Sequence, residues 1–200
     1  MQRPFSAACE RNREPILASL RDVFADARHV LAIGSGTGQH AVHFAAAMPH
    51  LQWQCSDAAG NLDGIAQWLD EAGLPNTPAP IALQSVAGAG LRPRPGRRFD
   101  AVFSANTLHI MGWPEVQALF ASLPDVLEGR AVVAVYGPFN RAGDYTSASN
   151  REFDAWLKVR DARSGIRDFE AVDALARTAG LELAIDAAMP ANNVLLAWRR

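Results

Sequence analysis

The residues of this chain best suited to chemistry gather at a glycine turn and at the ends of apolar runs. Val30-Leu31-Ala32-Ile33 leads into Gly34-Ser35-Gly36-Thr37-Gly38-Gln39-His40, with three glycines at alternate positions. Bare backbone at such a bend can lie against a ligand where a side chain would intrude, and a helix starting near Gly38 adds free N–H groups. The dinucleotide spacing G-x-G-x-x-G needs glycine at 39, where Gln39 stands. Asp57 follows Gly38 by nineteen positions. An acid there can accept hydrogen bonds from ribose hydroxyls, or can serve as a helix cap. Downstream, the run 99–104 ends in Ala105-Asn106-Thr107-Leu108-His109, and the run 130–136 ends in Tyr136-Gly137-Pro138-Phe139. Ser104, Ala105, Asn106 and His109 are placed to face a ligand at a strand edge, although Asn106 and His109 could equally hold the loop. His109 has the ordinary pKa best suited to general-base work, with Asp168 second unless it caps the next helix; Asn106 and Tyr136 complete the candidate catalytic group.

Periodicity supplies the elements that must hold these groups. In an N-terminal helical segment over residues 1–28, Ile16, Leu17, Leu20, Val23 and Phe24 share a face, with Asn12 as cap and Pro15 in the first turn. Strands are expected at 29–33, 51–56, 81–86, 99–104 and 130–136. Helices lie between them: one carries Phe44 and Met48, one is capped by Asn61 and one starts at Pro114. Residues 87–98 read as a Gly/Pro/Arg-rich loop, and residues 140–168 as a polar insert or lid beside the crevice. A helix with Val172, Leu175 and Ala176 then leads to strands at 181–185 and 194–198, whose short connection favours an antiparallel pair. The alternation predicts an α/β fold: a doubly wound, mostly parallel seven-stranded sheet with an antiparallel last strand, in one domain spanning 1–200.

Composition narrows the classes further. A chain of 200 residues with 49% hydrophobic and 20% charged residues suits one soluble globular domain. A net charge of −2 gives no broad basic surface; Arg92, Arg94, Arg97 and Arg98 read as a solvated loop, so no nucleic-acid partner is expected. Only Cys9 and Cys55 occur, without a disulfide framework, and no signal-like or membrane-spanning segment is evident; a cytoplasmic protein is expected. The five histidines lack ligand spacing, so no metal is expected.

The G-x-G-x-G turn resembles motif I of S-adenosylmethionine (SAM)-dependent methyltransferases. The wider collection is similar to the methyltransferase-like 26 family, also filed as domain of unknown function 938. It comprises Ser6, Glu10-Arg11-Asn12, Glu14-Pro15-Ile16, the turn itself, Ser56-Asp57, residues 99–110, Tyr136-Gly137-Pro138-Phe139, Ser149-Asn150, Phe153-Asp154, Gly165-Ile166-Arg167-Asp168 and Met189-Pro190-Ala191-Asn192-Asn193. The resemblance implies a class I, Rossmann-like fold and SAM as cofactor, with S-adenosylhomocysteine (SAH) as product. Gly34, Ser35, Gly36, Thr37, Gly38 and Gln39 would cradle the cofactor's methionine part, and Asp57 would take its ribose. Ser104, Ala105 and Asn106 would stand beside it, while Asn12, Asn150, Arg167, Asn192 and Asn193 would meet a small-molecule or peptide acceptor. Two positions depart from the family pattern: Ala32 stands where family members usually carry an acid, and Gln84-Ser85 where an acid would meet the adenine amine. Neutral hydrogen bonds from Gln84 or Ser85 would replace a charge-assisted one. The rival readings are a SAM- or SAH-binding sensor without turnover and, disfavoured by Gln39 and the lack of a Tyr-Lys pair, an NAD-dependent oxidoreductase.

Overall fold

The computed structural model describes residues 3–200. Strands β1 (His29–Ile33), β2 (Gln52–Asp57), β3 (Ile81–Ala82), β4 (Gln84–Val86), β5 (Gly90–Arg92), β6 (Phe99–Ala105), β7 (Leu127–Gly137), β8 (Phe139–Asn140), β9 (Arg167–Asp168), β10 (Glu182–Met189) and β11 (Asn193–Arg199) alternate with helices. The helices are α1 (Ala7–Val23), α2 (Gln39–Ala47), α3 (Leu62–Ala72), α4 (Trp113–Val126), α5 (Ala148–Arg160) and α6 (Phe169–Thr178). The main sheet has seven strands in the order β10-β11-β7-β6-β1-β2-β3. Only β11 runs against the others, being antiparallel to both β7 and β10. The chain winds outward through β1, β2 and β3, then returns to place β6 on the other side of β1. That reversal opens a crevice at the carboxyl ends of β1 and β6, where open α/β sheets receive ligands.

The central strands are apolar on both faces because helices cover both. Val30, Ala32, Trp53, Cys55 and Phe103 pack with α1, α2 and α3. Leu31, Ile33, Val102, Val133, Leu196 and Trp198 pack with α4 and α6 on the opposite face. This two-sided burial gives near-continuous hydrophobic strands and holds the loops at their tips on a rigid base.

Several elements differ from the sequence expectation. Helix α1 begins at Ala7, not near Asn12: Ser6 is the cap, its Oγ accepting the Cys9 N–H at 3.4 Å. Ser6 is fixed in turn by donating its own N–H to Gln39 Oε1 at 2.5 Å. Asn12 therefore lies within the helix, and Pro15 is interior to it. The strand expected over 81–86 breaks at Leu83. Only Ile81–Ala82 pairs with β2, while β4 peels away into a hairpin with β5 inside the expected loop. Positive φ at Gly88 and Gly90 makes that turn, and Ser122 Oγ of α4 accepts the Leu91 N–H at 2.9 Å, so packing on α4 wins over strand continuation. Asn61 makes no capping bond to α3; its side-chain amide goes to Asp57.

Between β8 and β9 the chain is organised by one buried acid. Asp154 accepts from Tyr145 Oη at 2.7 Å, from Lys158 Nζ at 2.6 Å and from the Ile166 N–H at 2.6 Å. Burial opposes its charge, but these three donors outweigh that and hold its carboxyl below the ordinary range. The ends of the same region are tied to each other just past β7 by the parallel pairing Phe139↔Arg167 and Asn140↔Asp168, a two-stranded sheet separate from the main one. No helix of the described residues is long and apolar enough to cross a membrane.

Candidate functional site

The turn after β1 takes the form that its glycines allow. Gly34, Gly36 and Gly38 all have positive φ, at 69°, 60° and 89°. They serve different ends. A Cβ at Gly34 would lie 2.6 Å from the Thr107 side chain, so this glycine permits close approach of the β1 and β6 tips. A Cβ at Gly38 would meet Ile65 and Trp68 of α3, so Gly38 is a packing position. A Cβ at Gly36 would meet nothing within 4 Å; here the backbone faces open space.

That space is a cavity of about 880 Å³ lined by Gly34, Ser35, Gly36, Thr37, Asp57, Gln84, Ser85, Ala105 and Asn106, together with residues not expected from sequence: Ser6, Cys9, His40 and Glu115. Asp57 is held rigidly at its rim. One carboxylate oxygen accepts the Gly36 N–H at 2.7 Å; the other accepts from the Ala58 N–H and from Asn61, both at 2.7 Å. The ionised carboxylate retains lone pairs for further donors. At the far end Ser85 spends its hydroxyl on the Glu115 carbonyl at 2.5 Å, while Gln84 is exposed. Glu115 Oε2 is buried and has no partner among the described residues, which makes it an acceptor in want of a donor.

Three residues expected at the cofactor do not line this cavity. Gly38 packs on α3 as described. Gln39 is buried and joins Ser6, Thr37 and Glu10, fastening α1 over the turn. Ser104 is buried with its hydroxyl on the Ile33 carbonyl at 3.0 Å, tying β6 to β1. All three hold the wall in place. Behind the turn, Ala32 borders a small void of about 20 Å³ along with Ser35, His40 and Trp53; that is room for about one water molecule. Trp53 Nε1 is buried without a partner among the described residues.

A second cavity, of about 1050 Å³, adjoins the first and shares Ala8, Asn106 and Ile110 with it. Its lining includes the expected Asn12, His109, Tyr136, Asn150 and Asn193, and also Arg11, Phe153, Trp156 and Arg160 from α1 and α5. Asn106 sits at the junction with φ of 56°, its N–H bonded to the Tyr136 carbonyl at 2.8 Å. A Cβ at Gly137 would stand 3.8 Å from both Asn106 Oδ1 and His109 Nδ1, so these side chains converge on one bare position. Burial, with a smaller push from Arg167, lowers the His109 pKa to about 4, which keeps the imidazole neutral at pH 7, able to accept a hydrogen bond but less basic than an exposed one. Burial raises the Tyr136 phenol above its ordinary value, opposed by a hydrogen bond with Asn12, so this group is a donor, not a base.

Asn12 is itself oriented. His40 Nε2 lies 2.7 Å from Asn12 Oδ1, and since that oxygen only accepts, the imidazole N–H is at Nε2. Its Nδ1 faces the Cys9 thiol at 3.8 Å. Burial first, then His43, lowers the His40 pKa to about 4, which keeps it neutral.

Asp168, Arg167 and Asn192 do not line either cavity. Asp168 precedes α6 without a side-chain capping bond, and its Oδ1 is buried unpartnered among the described residues. Arg167 spends its guanidinium on the carbonyls of Leu108, Met111 and Arg163 and so braces the loop that carries His109. Asn192 sits at the β10–β11 turn, its carbonyl accepting from Asn150 at 3.1 Å and its amide donating to Ser149 at 3.0 Å. Of the groups that α5 brings in, Asn150 was expected, whereas Phe153, Trp156 and Arg160 were missed as site residues because nothing in their spacing ties them to the strand tips. Among the described residues, no group of three or more His, Cys, Asp or Glu could hold a metal.

Solved structures of similar fold include methyltransferases. An O-methyltransferase family protein from Burkholderia thailandensis superposes with a TM-score of 0.81 at 18% identity, over 96% of this chain and 57% of that one. The mitomycin 7-O-methyltransferase MmcR gives 0.81 at 16% identity, over 97% and 54%. PigF, solved with SAH, gives 0.77 at 14% identity, over 93% and 55%. The chain thus spans just over half the length of these proteins, and the likeness establishes the class I methyltransferase fold. In sequence, residues 3–200 match the model of one family, and the chain belongs to it: the family described as "Protein of unknown function (DUF938)".

Proposed function

We propose that this protein is a SAM-dependent methyltransferase acting on a small-molecule or peptide acceptor. The observation that carries the reading is the pair of adjoining cavities that share Asn106: one built on bare turn backbone and a rim carboxylate, the other around a neutral buried histidine. The residues present fit the cofactor. The open space at Gly36 admits its amino-acid end, Asp57 has lone pairs for ribose hydroxyls, and the unpartnered Glu115 Oε2 offers an acceptor for an adenine amine.

When bound, SAM supplies a methyl group on a positively charged sulfur, which keeps the bonding pair as the methyl leaves for an acceptor. The protein's part is alignment, exclusion of water and removal of a proton. His109 takes the proton of an acceptor hydroxyl at a ring nitrogen, and Asn106 aligns the reacting groups at the junction. Tyr136 and Asn12 present donors that orient the acceptor, and α1 closes one side of both cavities. The narrower likeness to the methyltransferase-like 26 family rests on the motif run alone.

Calorimetry with SAM, SAH and NAD in parallel tests the reading. Binding of SAM and SAH without NAD is expected, followed by methyl release when acceptor pools are supplied. Binding of NAD alone overturns the proposal, and SAM binding with no transfer across metabolite and peptide pools leaves a sensor instead.

A further inference from the structure

The acceptor cavity has a direction built into it. From His109 outward, Phe153 stands edge-on to the imidazole at 5.3 Å, and Trp156 stacks with Phe153 at 5.8 Å and 18°. The Arg160 guanidinium then lies over Trp156 at 4.5 Å. Phe153, Trp156 and Arg160 come from one face and the end of α5, so a single rigid element sets the row. Trp156 is half exposed, an unusual placement for so large an apolar ring.

Charge in the cavity points the same way. Asp161 is the only acid in the lining among the described residues, and Arg163 pairs with it at 2.9 Å. Glu10, next to Arg11 in α1, is taken by Arg13 at 2.9 Å. Arg11 and Arg160 themselves form no ion pair among the described residues. A chain of net charge −2 thus lines this cavity with two cations that form no ion pair among the described residues, one of them, Arg160, at the end of an aromatic row that begins at His109.

Building on the methyl-transfer reading above, we propose that the acceptor is a planar aromatic acid of about two rings, its hydroxyl at His109 and its carboxylate at Arg160 and Arg11. The ring lies along Phe153 and Trp156. The cavity of about 1050 Å³ exceeds what one ring needs. On transfer the hydroxyl oxygen gains the bond to the methyl carbon, the methyl–sulfur pair stays on sulfur, and the hydroxyl proton goes to His109.

The test is calorimetric titration, with and without SAH, of three probes: a hydroxynaphthoate with its groups at opposite ends, the corresponding amide, and the corresponding saturated decalin acid. The hydroxynaphthoate is expected to bind about tenfold or more tightly than either of the others. Replacing Arg160 and Arg11 together by alanine should erase the preference for acid over amide. Trp156→Ala should erase the preference for the aromatic acid over the saturated one. These side chains are exposed, and an unchanged melting midpoint confirms that each variant folds. Equal binding of acid and amide, or failure of the acid to bind a protein that binds SAH, overturns the acceptor assignment and leaves the methyltransferase reading standing. Failure to bind SAH defeats that reading instead, while the titration without SAH still decides the acceptor ratios.

Discussion

The two cavities that meet at Asn106 are made of different material. The first is built on the turn after β1: Gly34 and Gly36, both with positive φ, and the Asp57 carboxylate locked by the Gly36 and Ala58 N–H groups, with Glu115 at the far end. The second is made of side chains from α1, the β6 and β7 tips, α5 and the β10–β11 turn. A backbone seat is tied to local spacing and tolerates few substitutions, whereas a side-chain pocket can change its occupant by exchanging exposed residues on one helix. The comparison suggests a fixed cofactor and an adjustable acceptor, and it can be broken at several points.

The largest effect is expected at His109. His109→Ala should lower turnover by about 10²–10⁴-fold while SAH affinity stays within about twofold, measured by single-turnover kinetics and calorimetry. A matching loss of SAH affinity would show that the cavities are not functionally separate. Next is Asp57→Ala, which should weaken SAH binding by about 1–3 kcal/mol and leave binding of an acceptor alone unchanged. An unaltered SAH dissociation constant would remove Asp57 from the seat. Gly36→Ala comes third. Its Cβ clashes with nothing, so the cost is the left-handed backbone, about 1–2 kcal/mol in chemical denaturation. No loss would mean that the turn relaxes and is not a rigid cradle.

Acid should act on the walls of both cavities together. His40 and His109 are held neutral in the folded protein, each with a pKa of about 4, while the unfolded chain protonates them near their ordinary 6.5. The unfolded state therefore binds more protons, and stability should fall as pH drops from about 6.5 to about 4. Asp154, with its lowered pKa, adds a loss at the acid end. Urea titrations across this range should show the slope, and replacing either histidine by glutamine should flatten it; a pH-independent midpoint would contradict their burial. The smallest effect is on kcat/KM for a neutral hydroxyl acceptor, which should stay flat between pH 6.5 and 8.

The sequence made the backbone half easier to read than the side-chain half. An apolar run, alternate glycines and an acid at the next strand tip lie within a short stretch, so Gly34 to Thr37 and Asp57 could be placed from spacing. Seven strands and their layering followed from the alternation of apolar runs with amphipathic segments. Where two local signals competed, tertiary contacts decided. Ser6 and Asn12 are both good caps, and the bond from Ser6 to Gln39 selected the earlier one. The strand expected over 81–86 was drawn into a hairpin by Ser122 on α4, a partner that no local pattern reveals.

The same holds for individual polar groups. Gln39, Ser104 and Arg167 belong to motifs beside the site, yet their polar atoms are occupied by Ser6, Ile33 and the Leu108 loop. Phe153, Trp156 and Arg160 carry no spacing relative to His109, and only the fold of residues 140–168 brings them to it. Glu115 lies in the first turn of α4, and nothing in the sequence marks its Oε2, which is buried without a partner among the described residues.

The central claim is that the sulfur of the cofactor sits where the cavities join. The most direct measurement is a crystal structure of the protein with SAH. The account predicts methionine density at Gly36, ribose hydroxyls at Asp57 and the sulfur beside Asn106, facing the His109 cavity. SAH seated in the groove between β5 and α4, or lying with its adenine against Phe153, would contradict it.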